Sequence, residues 1–509
     1  MAPQPVEAVF FFRYNQQVSQ ACYGRLGGSR YTKNYIQVSG SAAPALDQAL
    51  GRSGGSKVDF ELVWPSGSEI GELRDASDNR AQLAWKRSGH APKPWKLGDP
   101  EDPEIAIPGD PRKTTEAGAD AELSRLRGEH LEPWLLAVKT ADEPGRLHAR
   151  TYLEHPPAGR EHYALDRLPP QILDAIRALN ARTQSGVFLP SHRPPAPRAQ
   201  AIVDRIQAAL ESDPNVLLIG PPGTGKTVAL EDLRELAEHE ASQLLFDPDN
   251  WYDAFGTQAA KVVSLVFHPS YAYENFVAGL FPESLEHGGF KLVAKPGPLV
   301  SLAHWTSSPN RQSLLIVDEF NRGPTAAIFG DTLALLDASK RSDPPTRPGA
   351  HIERPHVGTD MLVAPEFATA DGEERVTEEL RLPAGVRIVA ALNSSDRSVA
   401  PLDAALRRRF AILAVAPDLD VLADHLGLAP TVRHGEYKPS DESPDNWTDT
   451  EVKELALRLL ATLNERLAFV IGEDFLLGHA LLWPVGEASA GAVRTALCEA
   501  FDRRIAASL

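Results

Sequence analysis

Eight consecutive residues, Gly220-Pro221-Pro222-Gly223-Thr224-Gly225-Lys226-Thr227, come directly after the apolar run Val216-Leu217-Leu218-Ile219 and have the types and spacing of a phosphate-binding loop. Its glycines let successive backbone N–H groups turn inward around an anion, and a helix opening at Gly225 adds its positive dipole end. Lys226 is placed to reach the outer phosphates of a nucleotide, and the Thr227 hydroxyl to ligate Mg²⁺. Downstream, Leu314-Leu315-Ile316-Val317-Asp318-Glu319 reads as a buried parallel strand with two carboxylates at its tip. Asp318 there can hold the Mg²⁺ shell, and Glu319 can polarise the water that attacks the γ-phosphorus. A strand ending in Asp-Glu is common by itself; paired with the loop it signals nucleoside triphosphate hydrolysis.

The elements around these motifs must form an α/β layer to hold them. An amphipathic helix is expected at Ile202–Leu210, and strands at Leu244–Phe246, Val262–Phe267, Leu314–Val317 and Val386–Leu392. Helical stretches such as Ala327–Leu336 separate them, the alternation that builds a parallel sheet covered on both faces. The proline-bearing stretch Arg341–Asp360 reads as at least partly loop. After Asp418 the pattern turns helical, with Val452–Val470 the longest periodic segment, which suits a small lid.

At 509 residues the chain is too long for one core. The domains expected are a β-rich region at 1–182, a proline-rich linker at 183–199, an α/β nucleotide-binding core at 200–417 and a helical lid at 418–509. In the first, Val6–Tyr14, Tyr35–Val38, Val58–Trp64, Trp134–Val138 and Leu147–Tyr152 are strand-like, a helix is expected at Pro170–Arg182, and residues 99–120 form a long loop. Net charge is −17, and nearly all the excess acid lies in residues 191–509, with 45 Asp+Glu against 29 Lys+Arg. That argues against a general nucleic-acid coat for this part. Only Cys22 and Cys498 are present, which excludes a disulfide or zinc framework and fits a cytoplasmic location. No uninterrupted 18-residue apolar run occurs, so no membrane association is expected.

Three further stretches carry a family resemblance: Phe267-His268-Pro269-Ser270-Tyr271-Ala272-Tyr273-Glu274-Asn275-Phe276, Asp318-Glu319-Phe320-Asn321-Arg322-Gly323, and Leu392-Asn393-Ser394-Ser395-Asp396 ahead of Leu406-Arg407-Arg408-Arg409-Phe410. With Gly478-His479 in the lid, residues from about 200 onward resemble the AAA+ domain of the McrB family, motor subunits of modification-dependent restriction systems. The resemblance implies that Gly220–Thr227 is the Walker A loop and Asp318–Glu319 the Walker B pair. It implies that Asn393 is sensor 1, orienting the attacking water. It also implies that one or more of Arg407, Arg408 and Arg409 act as an arginine finger on a neighbouring subunit, Arg408 first and Arg409 next. A finger in trans implies a ring, expected as a hexamer, with a McrC-like nuclease on another chain. GTP preference would be inherited from the family; ATP stays open.

Residues 1–182 leave two readings open. Aromatics interleave with cations at Phe12-Arg13-Tyr14, Arg30-Tyr31-Thr32-Lys33, Trp85-Lys86-Arg87 and Lys93-Pro94-Trp95-Lys96, a pattern that can stack bases beside neutralised phosphates. Core aromatics with solvated neighbours give the same pattern. The region is therefore either a DNA-reading module, or the protein-binding domain of a remodelling ATPase. A nucleotide-gated defence scaffold with slow turnover is a third possibility. His268 and His479 are expected to be packed or hydrogen-bonded structural histidines.

Overall fold

The computed structural model describes residues 3–13, 35–53, 56–64, 67–76, 80–85, 134–156, 161–179, 185–190, 195–250, 253–257, 260–284, 289–343, 346–394, 404–429, 431–432 and 437–506. Tyr14, Arg30–Lys33, Lys86, Arg87, Lys93–Lys96, the expected 99–120 loop and Asp396 lie outside the described residues. The chain divides into two units, Met1–Pro194 with Ser242–Gln258, and Pro195–Ala241 with Ala259–Leu509.

The first unit contains β1 (Gln4–Arg13), β2 (Tyr35–Val38), α1 (Ala42–Ala49), β3 (Val58–Trp64), β4 (Gly67–Ala76), β5 (Arg80–Trp85), β6 (Trp134–Thr140), β7 (Arg146–Tyr152), α2 (Pro170–Arg177) and β8 (Ser185–Phe188). The chain then forms α3 (Gln200–Ser212), β9 (Asn215–Gly220) and α4 (Lys226–Ser242) of the second unit. It returns to the first for β10 (Leu244–Phe246) and β11 (Phe255–Thr257). The sheet runs β11-β10-β1-β6-β7-β3-β4-β5-β2, with β8 also on β1. Pairing is antiparallel except between β3 and β7. β1 alternates between two cores, with Ala8, Phe10 and Phe12 on one face and Val6, Val9 and Phe11 on the other. That double burial explains its unbroken apolar run.

Two expectations are corrected here. Leu244–Phe246 is not a strand of the parallel sheet: Gln4 and Pro5 pair antiparallel with Phe246 and Leu245. Nor is 183–199 wholly a linker, because Ser185–Phe188 pairs with Val9–Phe12. Gly186 permits that close approach, since a Cβ there would sit 2.4 Å from a ring carbon of Phe11.

The second unit continues with β12 (Ala260–Val266), α5 (Tyr273–Phe276), β13 (Ala278–Ser284), β14 (Phe290–Pro296), α6 (Pro298–Thr306), β15 (Gln312–Asp318), α7 (Thr325–Phe329), β16 (Ile352–Glu353), β17 (Glu379–Leu380), β18 (Val386–Asn393), α8 (Ala404–Arg407) and β19 (Ala411–Ala414). Five strands make a parallel sheet in the order β12-β15-β18-β9-β19. Alternate residues divide between two cores: Leu217, Leu315, Val317, Ile388 and Ala390 enter one, and Val216, Leu218, Leu314, Ile316 and Val389 the other. This is the expected α/β core of a P-loop NTPase. The expected helix Ala327–Leu336 is broken. α7 ends at Phe329, Gly330 turns at φ +53, and a 3₁₀ turn covers Gly330–Leu335. Only glycine fits there, as a Cβ would lie 2.7 Å from the Tyr273 ring.

The stretch after residue 340 is anchored by Arg341, which is 1% exposed and has its guanidinium pKa pushed down to about 9 by burial. Its Nη2 donates to Asn215 Oδ1 at 2.6 Å, and its Nη1 to the carbonyls of Val386 at 2.5 Å and Pro383 at 3.2 Å. Asn215 Nδ2 in turn donates to the carbonyls of Leu336 and Arg409. Arg341→Met keeps much of the volume but orphans these buried acceptors. It should lower the stability of this unit by about 3 kcal/mol, read from the midpoint of its denaturant transition.

A helical lid completes the unit: α9 (Leu419–Leu426), α10 (Asp449–Val470), α11 (Trp483–Glu487) and α12 (Val493–Ala500). α10 starts at a capping box, with Thr448 Oγ1 accepting from Glu451 N at 3.3 Å and Glu451 Oε2 accepting from Thr448 N at 2.7 Å. Donation from the Thr448 hydroxyl, and then from the backbone N–H groups of Thr448 and Ser440, pushes the Glu451 carboxyl down to about 2. Leu422, Leu426, Leu457, Leu460 and Leu482 form the lid core.

Candidate active site

The apolar strands β9, β15 and β18 lie side by side, so their C-terminal tips bring the two sequence motifs together. β9 ends at Gly220, whose register partner on β18 is Asn393, and Ser394 N donates to Gly220 O at 3.0 Å. β15 ends at Asp318 on the other side of β18. A parallel sheet needs crossovers, and these carry the candidate groups from distant segments to one edge.

In the loop, Gly223 and Gly225 take φ +77 and +86, which glycine alone adopts without strain. Gly220 lies against the Val415 carbonyl, where a Cβ would come within 2.1 Å of the oxygen. Lys226 is buried and folded back onto its own loop, donating to Gly220 O at 2.9 Å and Pro221 O at 2.7 Å. Burial pushes its ammonium down to about 8, against the opposing pull of Asp318 and Glu319. Thr224 is buried and donates to Pro221 O at 3.0 Å.

Thr227 Oγ1 donates to Asp318 Oδ2 at 2.8 Å. A hydroxyl and a carboxylate oxygen this close, at the open end of the loop, form a hard oxygen pair that suits Mg²⁺ shared with phosphate oxygens. Asp318 Oδ1 accepts from Glu319 N at 2.8 Å, which fixes the first carboxylate against its own backbone.

Glu319 has φ +52, in the left-handed region and costly for a side chain of this size. The turn persists because the next three residues are anchored. Phe320 N donates to Ala391 O at 2.8 Å, Phe320 is fully buried, and Arg322 N donates to Glu319 O at 2.8 Å. Glu319 Oε2 accepts from Asn393 Nδ2 at 3.4 Å, so the expected water-polarising carboxylate and the expected sensor meet directly. Asn321 Nδ2 donates to the Asn393 carbonyl at 3.3 Å and ties the two strand tips together. Arg322 lies 3.7 Å from the same Glu319 oxygen. Sequence reasoning gave Arg322 no role, although its spacing three residues beyond the strand-tip carboxylate was a usable signal.

The arginine triplet separates by environment. Arg407 and Arg408 are exposed at the end of α8. Arg409 is nearly buried, 3.4 Å from Asp337, and donates to Ala405 O at 2.6 Å. Its guanidinium is thus engaged within this chain, whereas Arg407 and Arg408 are exposed.

The lid reaches the loop. Ala480 N donates to Gly223 O at 3.0 Å, and a Cβ on Gly478 would lie 2.2 Å from the Pro222 carbonyl oxygen. His479 is buried and accepts from Asp418 N at Nδ1, 3.0 Å, which leaves Nε2 protonated; burial pushes its pKa down. His268 is exposed. A cavity of about 1090 Å³ opens between α3, the loop and the lid, lined among others by Ile202, Val228, Pro417, His479 and Trp483. Its apolar walls stand beside the Gly220–Thr227 loop and leave room for a ligand the size of a base and ribose.

Residues 215–410 match the model of the AAA domain of the dynein-related subfamily. Over 223 residues, 43% of this chain, the sequence is 30% identical to the type IV methyl-directed restriction enzyme EcoKMcrB subunit of Escherichia coli (strain K12), covering 39% of that protein. Over 221 residues, 38% of this chain, it is 27% identical to the type II restriction enzyme BsuMI component YdiS of Bacillus subtilis (strain 168), covering 55% of it. The chain thus spans about two fifths and just over half of these relatives. The structure of C. elegans PCH-2 overlaps 60% of this chain and 69% of its own at 15% identity, with a TM-score of 0.27, too loose a match to bear on function. Residues 215–410 thus match an AAA domain, and their distant homology to the McrB subunit supports a general AAA+, McrB-like assignment for that part of the chain.

Proposed function

We propose that this chain is an AAA+ nucleoside triphosphatase, hydrolysing GTP or ATP with Mg²⁺ as a ring, a hexamer, in the cytoplasm. In this reading it recognises DNA through residues 1–182 and drives a separate McrC-like nuclease. The observation that carries the enzymatic part is the meeting of Lys226, Thr227, Asp318, Glu319 and Asn393 at three adjacent strand tips. Support for the restriction role comes from the two relatives, one named as a restriction enzyme subunit and the other as a restriction enzyme component. Among the described residues no helix is long and apolar enough to cross a membrane.

Each residue at the strand tips has its own part in the reaction. Backbone N–H groups of the Gly220–Thr227 loop hold the phosphates, and Lys226 exchanges the carbonyls of Gly220 and Pro221 for phosphate oxygens. Thr227 and Asp318 would hold Mg²⁺, which when bound would supply charge neutralisation to the phosphate oxygens. Glu319 takes the proton of the attacking water, and Asn393 keeps that carboxylate and the water aligned. Arg408, the more favoured finger, enters the neighbouring subunit's site and balances charge in the transition state; Arg409, tied to Asp337, is the weaker candidate.

The test is phosphate release by the purified chain with GTP and with ATP, alone and with DNA and a candidate nuclease subunit. Mg²⁺-dependent turnover of at least one nucleotide is expected. Absence of hydrolysis of both, under every combination, would remove the enzymatic reading.

A further inference from the structure

We propose that Arg322 is a positioning residue for the catalytic carboxylate, a proposal that rests on the hydrolytic reading above. Its case begins in the backbone. Glu319 turns at φ +52, and Arg322 N closes that turn on Glu319 O at 2.8 Å. The turn folds the Arg322 side chain back over the strand tip, with Nε 3.7 Å from Glu319 Oε2. Asn393 Nδ2 approaches the same oxygen at 3.4 Å from the neighbouring strand. One hydrogen bond and one ion pair on the same oxygen bias the orientation of the carboxylate and leave Oε1 to accept from water.

The alternative is a surface ion pair with no consequence. Such pairs contribute about 0–1 kcal/mol to stability when exposed, and Arg322 is 55% exposed. That weakness helps here, because the pair is not needed to hold the fold. The turn itself is secured by Phe320, buried and bonded to Ala391 O, and by Thr325 Oγ1, which donates to Phe320 O. What remains for the Arg322 guanidinium is orientation of Glu319. Asn393 alone cannot fix the plane, since a single contact of 3.4 Å lets the carboxylate rotate about it.

Arg322→Ala is expected to lower kcat about tenfold, by loosening the alignment of the attacking water, while the Kd for a slowly hydrolysed triphosphate analogue and for the diphosphate stays unchanged. Arg322→Lys should recover part of kcat, because a cation returns near Oε2 without the planar fork. The decisive measurement is the double variant. In a Glu319→Gln background, Arg322→Ala should have no further effect, whereas a merely structural role would give additive losses. Unchanged or increased kcat in Arg322→Ala, or full additivity in the double variant, overturns the proposal. Weaker triphosphate binding with unchanged diphosphate binding also overturns it, placing the guanidinium on the γ-phosphate instead. If the unaltered chain hydrolyses nothing, the functional reading fails. If it hydrolyses and Glu319→Gln does not, while Arg322→Ala matches the unaltered chain, only this proposal fails.

Discussion

Lys226→Ala is expected to weaken triphosphate binding at least about a hundredfold, the loss of two charge-assisted hydrogen bonds of about 1.5–3 kcal/mol each. Isothermal calorimetry reads this directly. The fold should survive, since Lys226 serves here acceptors of its own loop, the carbonyls of Gly220 and Pro221 and, at 3.4 Å, Thr224 Oγ1. A pH series sharpens the assignment. Burial brings the unliganded Lys226 down to about 8, whereas phosphate contact favours its charged form and raises it again. Below about pH 8 the ammonium is already charged and affinity is flat. Above it each binding event must take up a proton, so Kd should rise toward about tenfold per pH unit. Lys226→Arg gives the control, because its guanidinium stays charged and its residual affinity should show no such slope. A Kd independent of pH between about 8 and about 10 in the unaltered chain would place another group on the phosphates.

Much of this site was legible because its parts are local patterns. The apolar runs at 216–219, 314–317 and 386–392 are too continuous for one-sided strands, and each proves buried on both faces. Glycines at 223 and 225 announced a backbone that only they adopt. Distant pairing was not legible. Leu244–Phe246 has the composition of a core strand, and nothing near it says that its partner is Gln4-Pro5 rather than a parallel neighbour. The four residues of β8 were hidden by the prolines just beyond them. β4 was missed because the acidic and small residues of Gly67–Ala76 obscure any apolar alternation, though Gly67–Leu73 pairs with β3 and Gly71–Ala76 with β5. Arg409 illustrates the same limit at the level of one side chain. Three adjacent arginines look alike in sequence, and the environment around Asp337 separates them.

Glu319→Gln should cut turnover by about 10²–10⁴-fold while leaving nucleotide binding intact. The amide matches the carboxylate in shape and can still accept from Asn393 Nδ2, which approaches Glu319 Oε2 at 3.4 Å, but it cannot take a proton from water. Single-turnover hydrolysis separates this from a binding defect. If the variant turns over at the unaltered rate, another group is the base and the strand-tip assignment is wrong. The same variant tests the finger. Arg408→Ala should lower turnover without weakening binding, because the exposed guanidinium acts outside its own pocket. Neither variant alone then hydrolyses at speed. Mixed rings contain interfaces where an Arg408→Ala subunit supplies an intact Glu319 and its Glu319→Gln neighbour supplies an intact Arg408. Activity should return at those interfaces in proportion to their frequency. Rings shown to be mixed by mass spectrometry, yet without recovery, would place Arg408 in its own subunit's chemistry. Recovery by Arg409→Ala in the same experiment is not expected, since that arginine braces Asp337 within its own chain and its loss cannot be made good by a neighbour.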